Sequence, residues 1–168
     1  MWTKLLLLTA FASLALAGCQ SGPAPKIQRA DPVLSTIDDR PKDVQSELSM
    51  YALSQLGIPY ANGGTSPEEG FDCSGLVYYV YRNATGLQLP RTTFALFKIG
   101  RIVEPMDLRP GDLVFYNTMS RAYSHVGIYM GEQRFIHAPS TGGVVRMESM
   151  QADYWAQRYN GARRLLPG

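Results

Sequence analysis

Cysteine and histidine are scarce in this chain: among 168 residues there are two of each, Cys19 and Cys73, His125 and His137. A Cys/His/His set could ligate zinc, but neither a Cys-x-x-Cys nor a His-Glu-x-x-His spacing supports it, which makes zinc the weaker reading. Neither sign of charge is in excess. Sixteen Lys and Arg face fourteen Asp and Glu, so nothing points to a nucleic-acid partner. A long apolar run occurs once, from Leu5 to Ala17, and is too short for a permanent transmembrane helix. There is no internal repeat, and the one biased stretch is a proline-bearing segment from Gln20 to about Pro41.

That apolar run follows Met1-Trp2-Thr3-Lys4 and ends in Leu16-Ala17-Gly18-Cys19. A basic start, a short apolar centre and a small-residue end make a secretory signal. Leu-Ala-Gly-Cys also resembles the lipobox of bacterial lipoproteins, which implies cleavage before Cys19 and lipid on its sulfur and on the new amino terminus. Residues 1–18 are then a lipoprotein signal peptide, 19–41 a lipidated Cys with a Pro-rich tether, and 42–168 one folded domain. Gln20 after the Cys implies, by resemblance, the periplasmic face of the outer membrane in a Gram-negative host. Loss of Lys4 takes the sixteen basic residues to 15, against 14 acidic. With Cys19 lipidated, Cys73 has no disulfide partner in an oxidising compartment. An unused thiol there is a chemical liability.

Within the domain, Val44, Leu48, Tyr51, Ala52 and Leu56 form an apolar stripe that predicts a helix over 42–56, closed by Gly57 and Pro59. A loop through Gly63-Gly64 and Pro67 leads to a second helix. Its apolar spacing (Leu76, Val77, Val80, Tyr81, Ala84) places Cys73 at the loop-to-helix junction, with Asp72 or Ser74 to cap and Gly86 to end it. Pro90-Arg91-Thr92-Thr93 opens a short helix that Gly100 closes. Beyond Gly100 the pattern turns to β: strands over 112–116, 125–130, 134–138, 143–147 and 159–165, with a helical turn near 150–155. Helices followed by strands predict an α+β fold with helices packed on one face of a mostly antiparallel sheet of five or six strands.

A thiol at a helix N-terminus meets unpaired amides and the positive end of the helix dipole, which favour thiolate. Both histidines fall in the hairpin over 125–138. With a three-residue loop at 131–133, Met130 pairs with Arg134, His125 lies opposite Pro139, and His137 shares a face with His125 at a diagonal spacing of roughly 7–8 Å. A two-residue loop puts them on opposite faces. In the first register, Cys73, His125 and His137 supply a nucleophile, a base and an orienting group.

These residues sit in a series of motifs: Pro59-Tyr60 with Gly63-Gly64, Phe71-Asp72-Cys73-Ser74-Gly75-Leu76, Leu89-Pro90-Arg91-Thr92, Pro110-Gly111-Asp112-Leu113-Val114-Phe115, Ser124-His125-Val126-Gly127-Ile128-Tyr129 and Phe135-Ile136-His137-Ala138. From about Pro41 to Leu165 the chain resembles the NlpC-type cell-wall cysteine peptidases, papain-like enzymes that cut peptidoglycan stem peptides. The resemblance implies Cys73 as nucleophile, His125 as base and His137 as orienting residue. It also implies Tyr60, Asp72, Ser74 and Arg91 as substrate-binding, peptidoglycan stem peptides as partner, and no cofactor or metal. It leaves open whether the bond cut lies between D-Glu and the diamino acid or between diaminopimelate and D-Ala in a cross-link. Asn62 stands where many members have Trp and Leu96 where many have Gln; both are expected near the substrate groove. Two other functions compete: a lipid-directed acyltransferase or phospholipase on the same fold, and a non-catalytic peptidoglycan-binding lipoprotein. The first needs an apolar acyl groove. The second predicts loss of Cys73, His125 or His137, and all three are present. Nothing in the sequence identifies an adaptor or regulator.

Overall fold

The computed structural model describes residues 43–166; the segments expected as signal peptide and tether, with Cys19, lie outside them. Helix α1 spans Val44–Leu53. Asp43 starts it, its carboxylate accepting from the Gln45 amide at 3.2 Å and the Ser46 hydroxyl at 2.7 Å, which satisfies donors left open in a first turn. The helix is shorter than the 42–56 expected. From Ser54 to Gly57 the chain is in turns, and the Gln55 side chain bonds back to the Tyr51 carbonyl at 3.1 Å, a local bond that competes with helical continuation.

Strands β1 (Thr65–Ser66) and β2 (Gly70–Phe71) form a small antiparallel hairpin in a stretch whose Gly and Pro content reads as loop. Helix α2 (Cys73–Thr85) follows at once and ends, as expected, at a left-handed Gly86. It buries Leu76, Val77, Val80 and Tyr81. Helix α3 (Thr93–Phe97) is capped by Thr92, whose hydroxyl accepts from the Ala95 amide at 3.2 Å.

The rest is one six-stranded antiparallel sheet: β3 (Arg101–Val103), β4 (Leu113–Tyr116), β5 (His125–Gly131), β6 (Arg134–His137), β7 (Arg146–Ser149) and β8 (Tyr159–Arg164), in the order β3-β8-β4-β5-β6-β7. The fold is α+β. Strand β7 lies later than the expected 143–147 because Val145 is taken by the segment after α1. Its amide donates to the Ile58 carbonyl at 2.8 Å and its carbonyl accepts from Gly57 at 2.9 Å.

Alternation along the strands gives the sheet two apolar faces. Leu113, Phe115, Val126, Ile128, Ile136 and Ala138 pack with Leu48, Ala52 and the buried face of α2. Val114, Tyr116, Tyr129 and Phe135 point the other way and meet Met150 and Trp155. Helices on one face are therefore only part of the arrangement: a one-turn helix, α4 (Asp153–Ala156), brings Trp155 onto the second face. At the sheet end remote from His125, the Arg164 guanidinium donates to both Asp112 carboxylate oxygens at 2.6 Å and ties β8 to the start of β4.

The β5–β6 hairpin has a two-residue loop. Glu132 and Gln133 both have positive φ, 51° and 55°, as a primed turn requires. Gly131 pairs with Arg134, yet Tyr129 pairs with Phe135 and Ile128 with Ile136. Met130 is an extra residue, a β-bulge. The bulge restores, at the histidine end, the register expected for a three-residue loop.

Candidate active site

Asp72 sets where Cys73 stands. One carboxylate oxygen accepts from the Gly75 amide at 2.6 Å and the Ser74 hydroxyl at 2.9 Å, the other from the Gly63 amide at 3.0 Å, and Arg91 approaches to 3.5 Å. Ser74 Oγ also lies 2.9 Å from the Arg91 carbonyl. The loop at Gly63-Gly64 thus rests on the first turn of α2, so closely that a Cβ on Gly75 would overlap the Gly64 carbonyl oxygen. Cys73 is left as the first residue of a clamped helix.

Across the cleft, His125 opens β5 and His137 ends β6. They are 4% and 0% exposed. His125 Nε2 lies 2.7 Å from His137 Nδ1, with the rings perpendicular. Gly127, between the two rows, makes room: a Cβ there would come 2.5 Å from Phe135 Cδ2. Trp155 covers the pair, stacked on His125 at 5.6 Å and edge to face with His137 at 4.9 Å. Among the described residues, His137 Nε2 has no hydrogen-bond partner.

Burial governs the electrostatics. It pushes the Cys73 thiol up to about 11, with the Asp72 carboxylate adding to the effect, while the amides of Val126, Ser74 and Cys73 itself oppose it. The Val126 amide places the sulfur beside the start of β5. Burial also pulls His125 down to about 4 and, with His125 and the Arg146 cation assisting, His137 to about 2. Helix-end stabilisation of a thiolate is therefore outweighed, and each group alone prefers to be neutral.

Cys73 and His125 line one cleft of about 770 Å³ with Tyr60, Ser140, Thr141, Arg146, Glu148 and Trp155 among its walls. Burial raises the Tyr60 hydroxyl above its ordinary range, and the neighbouring Cys73 and Asp72 add to the effect. Of the four residues expected to touch substrate, Tyr60 is in the wall, whereas Asp72, Ser74 and Arg91 form the network that holds α2. The two departures do not line the cleft. Asn62 is exposed, and Leu96, expected near the groove, is a fully buried core residue packed with α2 and the sheet; a side chain on the inner face of a five-residue helix has to fill the core.

Trp155, Arg146 and Glu148 were not evident from sequence reading. Trp155 carried a signal, being the only Trp after Trp2; the charged pair carried none, since its place depends on where β7 begins. Among the described residues no three His, Cys, Asp or Glu side chains converge as a metal's ligands would. A thiol, an imidazole steadied by a second imidazole, and a hydroxyl in one cleft are the parts of nucleophilic catalysis.

Known proteins resemble this chain in sequence and in fold. The chain is 43% identical over 117 residues to murein DD-endopeptidase MepH of Escherichia coli K12, covering 68% of this chain and 43% of that protein. It is 38% identical over 164 residues to probable endopeptidase NlpC of the same organism, covering 96% and 97%. It spans half or less of MepH and of the probable endopeptidase YafL, 43% and 50%. Among solved structures, an NlpC/P60 family protein from Bacillus cereus aligns with a TM-score of 0.68 at 32% identity, over 73% of this chain and 40% of that one. The NlpC/p60 domain of the peptidoglycan hydrolase SagA aligns with a TM-score of 0.63 at 32% identity, over 71% and 97%. Residues 57–164 match the NlpC/P60 family, and the chain belongs to that family.

Proposed function

We propose that the protein is a cysteine endopeptidase of peptidoglycan, cutting stem-peptide or cross-link amide bonds through a thioester on Cys73. The observation that carries this is the 2.7 Å contact between His125 Nε2 and His137 Nδ1 at the wall of the cleft that Cys73 also lines. The names of its relatives, murein DD-endopeptidase for MepH and peptidoglycan hydrolase for SagA, support the substrate class.

The chemistry requires one tautomer. His125 donates its Nε2 proton to His137 Nδ1, which leaves its own Nδ1 bare to receive the thiol proton. His137 then carries its proton on Nε2, the atom without a partner. Because burial opposes a lone thiolate and a lone imidazolium alike, moving the proton from Sγ to His125 creates both charges together, and each offsets the other. The sulfur attacks the peptide carbonyl carbon, and the oxyanion is met by the Cys73 backbone N–H and the Tyr60 hydroxyl. Collapse breaks the C–N bond, His125 returns its proton to the leaving amine, and the acyl group stays on sulfur. Water, deprotonated by His125, then hydrolyses the thioester and the proton returns to Cys73. Asp72, Ser74 and Arg91 act one step back, by holding the first turn of α2.

Lipid on Cys19 tethers the domain through residues 20–41 to the periplasmic face of the outer membrane. Cys19→Ser is expected to release it into the soluble fraction. Ser140, Thr141, Arg146 and Glu148 offer a peptide polar partners in the cleft, beside the apolar Met119, Pro139 and Trp155. Digestion of purified sacculi by the signal-free protein, with products identified by mass spectrometry, tests the function. Cleaved stem peptides absent from a Cys73→Ala digest support it, and unchanged sacculi contradict it.

A further inference from the structure

We infer that Arg146 reads a carboxylate on the leaving half of the peptide, an inference that rests on the peptidase reading above. Arg146 begins β7 and pairs directly with His137 across the β6–β7 ladder. Directly paired residues project to the same side, so its side chain leaves the sheet on the face of both histidines. Glu148, two residues on, shares that face. Both line the cleft with Cys73 and His125.

The pair has an open end. Arg146 Nε donates to Glu148 Oε1 at 2.6 Å, and the two terminal nitrogens make no hydrogen bond among the described residues. Glu148 therefore turns the guanidinium while the Nη edge, two parallel donors spaced for a carboxylate, stays unused. The Arg146 and Glu148 side chains are 49% and 27% exposed. That is open enough for a ligand to arrive and screened enough for its charge to be felt. Proximity to the catalytic pair also shows in His137, which the Arg146 cation helps keep neutral after burial and His125.

Chemistry gives the side of the cleft. The acyl half of the peptide stays on Cys73, and the leaving amine must face His125 to take its proton. His125, His137 and Arg146 stand on three successive strands, β5, β6 and β7, so the guanidinium stands two strands from the base that the leaving amine must face. The group it fits is a free carboxylate a few bonds from the scissile nitrogen, on a leaving amino acid or short peptide whose carboxyl is not amidated.

The test uses matched peptides with a carboxylate or a carboxamide at that position, on the wild-type protein, Arg146→Gln and Arg146→Lys. Hydrogen bonds to charged groups contribute about 1.5–3 kcal/mol, which corresponds to a rise in KM of about tenfold or more on amidation. Arg146→Gln should raise KM for the carboxylate peptide equally, become indifferent to amidation and keep kcat within a few-fold; Arg146→Lys should fall between. Equal sensitivity to amidation in the wild type and in Arg146→Gln overturns the inference. So does a loss confined to kcat. The Kd of the same peptides, measured on a Cys73→Ala background, separates the two readings. A charge preference that Arg146→Gln removes upholds the inference even if neither peptide is cleaved, which would sink the peptidase reading alone; equal affinities overturn it.

Discussion

His137 is wholly buried, and among the described residues its Nε2 has no hydrogen-bond partner. Its other nitrogen, 2.7 Å from His125 Nε2, explains why it is there. His137→Ala is expected to lower turnover by about 10²-fold or more, within the ~10⁴ lost when a catalytic triad adopts the wrong tautomer. His137→Asn, with a polar group that can still accept, should fall between. Turnover and a thermal melt are measured together. A lowered melting temperature with unchanged turnover per folded molecule would make His137 structural. At this scale the sequence was informative about rare residues, since Cys73, His125 and His137 stand almost alone in their types. It was misleading about Leu96, whose place beside a motif suggested the groove and whose apolar side chain belongs to the core.

Among the elements, the β5–β6 hairpin decides whether the two histidines meet. Its alternating apolar residues were readable, and so was the need for a particular register. The device that supplies the register was not. A bulge at Met130 leaves no mark in hydrophobic pattern, because one added residue is compatible with either loop length. Removing Met130 takes away only the unpaired residue, so Gly131 can still pair with Arg134, Tyr129 with Phe135 and Ile128 with Ile136, and the histidines should stay on one face. Most of the turnover is then expected to survive. A Gly inserted between Glu132 and Gln133 leaves the bulge in place and should likewise retain most of it. Loss of activity on deletion of Met130, with circular dichroism still reporting an α+β fold, would contradict this register. β7 was misplaced for a related reason. Val144 and Val145 look like strand residues, and they do pair, but with the segment after α1, far away in sequence.

For the whole molecule, the order of helices before strands was enough to indicate an α+β fold. The second apolar face was less legible because its cover rests on Met150 and a helix of four residues. Enclosing both histidines between sheet and Trp155 ties stability to pH. From an ordinary value of 6.5, His125 is lowered to about 4 and His137 to about 2. Below about pH 6.5 the unfolded chain binds protons that the folded one does not. Stability is thus fully present above that pH and falls as pH drops, by up to about 1.4 kcal/mol per unit for each histidine. His125's share is exhausted near 4 and His137's near 2. Melting temperatures measured between pH 7.5 and 4 should decline less steeply in His137→Asn than in the wild type. Parallel declines would contradict the buried-neutral assignment.

Alkylation of the thiol against pH shows whether His125 takes the Cys73 proton. With His125 present, proton transfer inside the pair should let iodoacetamide modify Cys73 near neutral pH. In His125→Ala nothing receives the proton, so modification should be slow at neutral pH and half-maximal only near 11, where burial and Asp72 hold the thiol. The same profile in both proteins would mean that His125 does not take the proton.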